Sequence, residues 1–140
     1  VNMLFETVEY IKHAFPEPKV IGLLATNGTI KSGVYHDVVV KAGFPLLVPD
    51  PENQALVMDA IYGKQGVKAG FTTGRCVDDL LRALTSLAQR GAEVIILGCT
   101  ELPLLIAQND ALPVAGKVVT VLDPTEILAR KCVSLCQPAA

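Results

Sequence analysis

No tryptophan occurs in these 140 residues, aromatic side chains make up only 5% and charged ones 19%. A core built from such a chain is aliphatic, and the 51% hydrophobic content argues against disorder. Surplus positive charge is also missing. With a formal charge of −2 and a pI near 5.6 the chain has no electrostatic footprint for nucleic acid or for an anionic membrane surface. The longest apolar runs, Val94 to Cys99 and Leu102 to Ala107, are too short to span a bilayer. No basic segment leads into an apolar one as in a secretory leader. The four cysteines, Cys76, Cys99, Cys132 and Cys136, form no CxxC pair. That removes a zinc-site reading and, without a secretory marker, makes reduced thiols in a cytoplasm the expectation. No GxGxxG follows a strand, so the glycines between residues 63 and 74 read as a mobile linker, not a nucleotide loop. The chain starts at Val1 inside a helical pattern, as a fragment would. Its length suits a single domain over residues 1–140, burying about two thirds of its unfolded surface without help from a metal or disulfide.

What is present is an alternation of helical and strand patterns, uninterrupted by repeats or low-complexity tracts, which predicts an α/β fold with a parallel sheet flanked by helices. Met3, Phe5, Val8, Ile11 and Phe15 mark a helix over 2–15, stopped by Pro16. VIGLLAT, residues 20–26, reads as a strand buried on both faces. Thr29 is the expected cap of a helix carrying Ile30, Val34, Tyr35, Val38 and Val39 and ending near Gly43. A strand at 45–49 and a helix from about Glu52 to Tyr62 follow. The strongest amphipathic helix covers 76–90, with Val77, Leu80, Leu81, Leu84 and Leu87 on one stripe and Gly91 closing it. The last strands are 94–98 and 118–122, the latter leading into a helix capped by Asp123, with Pro124 at its first position and Glu126 completing a capping box. Thr26, Pro49, Cys99 and Asp123 then all fall at carboxyl ends of parallel strands, where such sheets bind ligands.

The stretch VIILGCTELPLL concentrates the chemistry. Cys99 leaves a buried strand, and Thr100 and Glu101 precede Pro103 in the first turn of an expected helix. The dipole of that helix would favour a thiolate, so Cys99 is expected to be the first thiol to react, ahead of Cys132 and Cys136. Thr100 and free backbone N–H groups are suited to a small carboxylate.

GCTELPLL, together with ATNGTIKSGVY at residues 25–35, resembles the second lobe of the aspartate/glutamate racemase superfamily over nearly the whole chain. Glu101, where glutamate racemases usually carry His, places the sequence nearer the aspartate racemase branch. The resemblance implies a flavodoxin-like lobe of a two-lobe, cofactor-independent isomerase acting on an acidic amino acid such as aspartate or glutamate. It implies Cys99 as one of two thiol acid/base groups. Thr26, Asn27, Thr29 and Thr100 match positions that help bind the substrate carboxylate, with Glu101 near the amino group or the thiol. The Cys-Asn-Thr type motif of the first lobe occurs nowhere in the chain. Hence residues 118–136 are expected to pack on an absent lobe or a partner chain, and an unpaired strand edge invites a homo-oligomer. Alternatives are a non-catalytic small-molecule-binding or assembly module, and single-cysteine chemistry like that of arylmalonate decarboxylases.

Other features read as structure. Cys76 and Arg82 have the spacing of cysteine phosphatases, but VDDLL between them is helix interior and too acidic for a phosphate cradle. Cys132 and Cys136 read as packed thiols, and no metal site is expected. His13 and His36 fall on helices with no assigned role, and Tyr35 reads as a core residue whose hydroxyl finds a partner.

Overall fold

The apolar runs at 20–26 and 94–98 become neighbouring central strands because neither has a polar face to turn to solvent. The structure is a computed structural model that describes residues 2–17 and 19–138. In chain order the elements are α1 (Met3–Ala14), β1 (Ile21–Leu24), α2 (Asn27–Ser32), α3 (Val34–Lys41), β2 (Leu46–Leu47) and α4 (Pro51–Tyr62). They continue with α5 (Arg75–Gln89), β3 (Val94–Leu97), β4 (Asn109–Val114), β5 (Lys117–Leu122) and α6 (Pro124–Cys136). Single 3-10 turns occupy Val67–Ala69 and Leu102–Leu104.

The five strands form one sheet in the order β2-β1-β3-β5-β4. β2, β1, β3 and β5 are parallel, as the α/β alternation requires, and β4 is antiparallel to β5. Leu24, Ile95, Leu97, Val119 and Val121 pack with Val57 and Ile61 of α4 and Leu80, Leu84 and Leu87 of α5. Ile21, Leu23, Val94, Ile96 and Leu122 belong to the opposite cluster, with Val8 and Ile11 of α1, Tyr35 and Val39 of α3, and Ile127 of α6. No helix among the described residues is long and apolar enough to cross a membrane.

Several expectations are corrected. The helix after β1 is capped by Thr26, not Thr29, since the Thr26 hydroxyl accepts from the Thr29 N–H at 3.2 Å. It is split in two by Gly33, whose φ of +73° lies in the left-handed region. β4 is an additional strand. It was hidden because Pro113 and the absence of strict alternation in NDALPV argue against a strand. Pro113 is tolerated because β4 is the sheet's outermost strand, and the hairpin turns through Ala115 and Gly116, both at positive φ. Consequently β5 is flanked on both sides, and α6 packs against α1 within this chain. Glu126 completes no capping box. It pairs with Arg130 at 2.9 Å, while the Asp123 N–H donates to Gln108 Oε1 at 2.9 Å. Finally, Cys132 and Cys136 are exposed, because α6 buries only its N-terminal Pro124 and Ile127.

Gly98 fixes where β3 ends and where the next residue points. Its N–H donates to the Leu24 carbonyl at 2.7 Å, and a Cβ there would lie 2.8 Å from Leu23 Cδ1 and 3.1 Å from Ala25 Cβ. Gly98→Ala must displace the buried Leu23 side chain and crowd Ala25, and we expect it to cost about 1–3 kcal/mol, as overpacking does, measured by urea unfolding.

Candidate active site

After Gly98 the chain leaves the sheet, and Pro103, with no N–H for a ladder, lies in the segment that follows. The chain folds into a turn closed by Leu102 N–H to Cys99 carbonyl at 3.2 Å, followed by the single 3-10 turn. The helix expected to begin at Pro103 is therefore three residues long, and its dipole is too small to promote ionisation of the thiol. The half-buried Cys99 Sγ–H donates to Glu101 Oε2 at 2.6 Å, and the Thr100 hydroxyl donates to the same oxygen at 3.1 Å. The other carboxylate oxygen, Oε1, is 3.1 Å from Lys68 Nζ.

Charge and burial place the proton on sulfur. Burial, together with the neighbouring carboxylate, pushes the Cys99 thiol above its ordinary value. Donation from the thiol and from Lys68 holds Glu101 down at about 2. Cys99 thus rests as a thiol beside an ionised carboxylate, the reverse of the thiolate expected from the helix dipole. Lys68 is itself pushed up by the Glu101 carboxylate it binds.

Lys68 was not singled out in the sequence because it lies in KQGVKAGFTTGR, a stretch whose glycines read as a linker. The segment is ordered by a 3-10 turn. Gly66 is buried against the end of α4, where a Cβ would meet the carbonyl oxygens of Asp59 and Ala60 at 2.8 Å. That turn carries Lys68 to Glu101 and sets its ammonium 5.5 Å from the Tyr62 ring. We expect Lys68→Met to raise the Glu101 titration midpoint from about 2 toward the ordinary carboxylate value, as read by carboxyl-carbon NMR. The sign follows from a depressed folded value. Glu101 stabilises the fold fully above the ordinary range, and that stability is lost as pH falls toward 2; in the variant the window narrows.

The second group of expected residues lies at the end of the adjacent strand β1. Thr26 is half-buried, and its hydroxyl also donates to Thr29 Oγ1 at 3.1 Å. Asn27 is exposed; its Oδ1 accepts from Gln54 Nε2 at 2.9 Å, and its N–H donates to Met58 Sδ at 3.4 Å. Gln54 also donates to the Ala25 carbonyl at 2.9 Å, so α4 clamps the start of this loop. Thr26, Asn27 and Thr29 therefore stand at the end of β1, with Cys99, Thr100 and Glu101 beside them at the end of β3. Asp123, at the end of β5, is occupied as the α6 cap through Thr125 N–H at 2.9 Å. No group of three or more His, Cys, Asp or Glu side chains that would hold a metal ion is found among the described residues.

The mostly parallel five-stranded sheet with its flanking helices is an α/β fold like that of a racemase lobe. The chain belongs to the Asp/Glu/Hydantoin racemase family, whose family model matches residues 1–132. It is 35% identical over 133 residues to an uncharacterized protein in the pnlA 3'region of Pectobacterium carotovorum, covering 95% of this chain and 82% of that one. Over 107 residues it is 32% identical to a glutamate racemase of Corynebacterium kroppenstedtii, covering 76% of this chain and 34% of the enzyme. The crystal structure of an aspartate racemase homologue from Pyrococcus horikoshii superposes with a TM-score of 0.77 at 26% identity, covering 96% of this chain and 55% of the homologue. The chain thus spans about a third of that glutamate racemase and about half of that solved homologue.

Proposed function

We propose that this chain supplies one half of a cofactor-independent amino-acid racemase site for an acidic amino acid such as aspartate or glutamate, with Cys99 as one of its two thiol acid/base groups. The observation that carries this reading is the Cys99–Glu101–Lys68 chain at the end of β3. Racemisation requires removal of the Cα proton on one face, leaving its electron pair on Cα and spread into the carboxylate, and delivery of a proton on the other. A thiol held protonated by a neighbouring carboxylate is ready to deliver. Once it has done so, the thiolate is the base for the reverse direction. Thr26, Asn27, Thr29 and Thr100 are the groups for the substrate's carboxylate, and Glu101 faces its amino group or the thiol. The Lys68 ammonium offsets the charge of Glu101, so that an anionic substrate is not repelled by it. A second thiol comes from a partner, either another lobe or a second copy.

One thiol suffices for a diagnostic half of this chemistry, since a proton removed and returned on the same face exchanges with solvent without inversion. Incubation with L- or D-aspartate or glutamate in D2O at alkaline pH should erase the Cα–H signal in proton NMR, one enantiomer ahead of the other. No exchange across this panel would overturn the proposal and favour a binding or assembly module. The protonated resting thiol also suits chemistry in which Cys99 only protonates an enediolate; carbon dioxide release from a 2-substituted malonate would mark that second reading.

A further inference from the structure

Two side-chain amides at the end of β1 are fixed one by the other. Gln54, on α4, sends a single nitrogen, Nε2, to two acceptors, the Ala25 carbonyl at 2.9 Å and Asn27 Oδ1 at 2.9 Å. A backbone carbonyl can only accept, so the arm of Gln54 that faces Ala25 is its nitrogen. That nitrogen can only donate, so the arm of Asn27 that faces Gln54 is its oxygen. The arm left over is the Asn27 amino group, Nδ2, which has no hydrogen-bond partner among the described residues although Asn27 is exposed. We infer that Gln54 is a positioning residue of this site: by holding Asn27 Oδ1 it commits the Asn27 side chain to donate, which selects a carboxylate at the end of β1 and disfavours an ammonium group.

The orientation is kept at a cost. Gln54 Oε1 is buried without a partner among the described residues, a condition that native structures rarely tolerate. Turning the amide over brings no relief, because Oε1 would then face the Ala25 carbonyl, oxygen against oxygen. The Asn27 backbone N–H is already taken by Met58 Sδ at 3.4 Å, so the side-chain amino group is the donor this residue has to offer. Its place is beside the thiol's turn. Leu24 pairs with Leu97 in the parallel register, so Thr26 and Asn27 leave β1 alongside Cys99 and Thr100 leaving β3. Asn27 also shares an open groove of about 590 Å³ with Met58, Asp59 and Tyr62 of α4, and the Tyr62 ring is 5.5 Å from Lys68 Nζ, the partner of Glu101. Asp59, the acidic group of that groove, is paired with Arg75 Nη2 at 3.6 Å, which offsets its repulsion of an anion.

This role rests on the carboxylate site proposed at the strand ends, yet its test needs no turnover. Proton–nitrogen NMR of the labelled protein follows the side-chain amides of Gln54 and Asn27 while aspartate, and separately methylammonium, is added. In the wild type the Gln54 amide protons should exchange slowly with solvent and those of Asn27 fast; aspartate should shift the Asn27 pair, and methylammonium should not. The dissociation constant for aspartate, read from the Thr26 and Thr100 backbone amides, should rise about three- to tenfold in Gln54→Leu and by a similar factor in Asn27→Ala. The double variant should be no weaker than Asn27→Ala, because Gln54 acts through Asn27 alone, whereas a merely structural Gln54 would give losses that add. Additive losses, an Asn27 pair that aspartate leaves unmoved, or one that methylammonium moves instead would overturn the inference. Should Gln54→Leu not fold, the wild type alone decides, since fast exchange of the Gln54 amide protons would equally overturn it. Cα exchange without an aspartate shift at Asn27 would keep the racemase reading and defeat this role; the shift without Cα exchange would do the opposite.

Discussion

Cys99→Ser should reduce deuterium exchange at Cα of the acidic amino acid by at least about a hundredfold, the lower end of what a positioned acid/base group contributes. The reason is acidity, not shape. Serine is close to cysteine in size, the position is half-buried, and its hydroxyl donates to Glu101 Oε2 as the thiol does, so the turn after β3 is retained. A hydroxyl, however, is far too weak an acid to yield a base in water. Exchange measured by NMR and the thermal midpoint measured on the same samples should therefore separate: the first lost, the second nearly unchanged. Exchange that survived in Cys99→Ser would assign the chemistry elsewhere.

Glu101→Gln should act on the thiol itself. In the wild type the exposed Cys132 and Cys136 are expected to react with iodoacetamide ahead of Cys99, whose burial and Glu101 carboxylate favour the thiol. Replacing the carboxylate by an amide removes the negative charge that favours the thiol and leaves at most a weaker, neutral acceptor, while burial stays in place. Cys99 alkylation at neutral pH should rise about tenfold, corresponding to one unit of acidity, and thiolate absorbance near 240 nm should develop at lower pH. An unaltered rate would mean that burial alone sets the thiol's state and that Glu101 serves only to hold Lys68. Thus two neighbouring residues in one turn are separated by assay: the first variant removes the acid/base group, and the second makes it more acidic.

The parallel frame was legible because its signals are strong and local. VIGLL and VIIL have no polar face and could only be central strands, and the leucine stripe of α5 could only be an amphipathic helix. The cluster at the end of β3 was legible from the Gly-Cys-Thr-Glu stretch. Its electrostatics were not. The sequence suggested a helix after Pro103, and the chain makes one 3-10 turn, which reverses the expected state of the thiol. Lys68 was hidden because the contact joins residues 68 and 101, a separation that no local pattern encodes, and because its neighbouring glycines look like slack chain while they allow a close backbone turn. Tyr35 was recognised as core, but the partner expected for its hydroxyl is not found among the described residues. Periodicity reports which face is buried, not whether a buried oxygen is satisfied.

The hairpin that closes the sheet also bears on how copies of this chain can meet. An exposed β edge is a template for adding strands from another molecule. Here one border strand carries Pro113 and a register shift between Asn109 and Leu112, and the other, β2, is only two residues long. Neither offers a continuous ladder for polymerisation. Any contact between copies would therefore have to be made by side chains and not by strand addition, and Tyr62, Phe71 and Leu104, in the segments around Lys68 and Cys99, are large apolar groups left exposed.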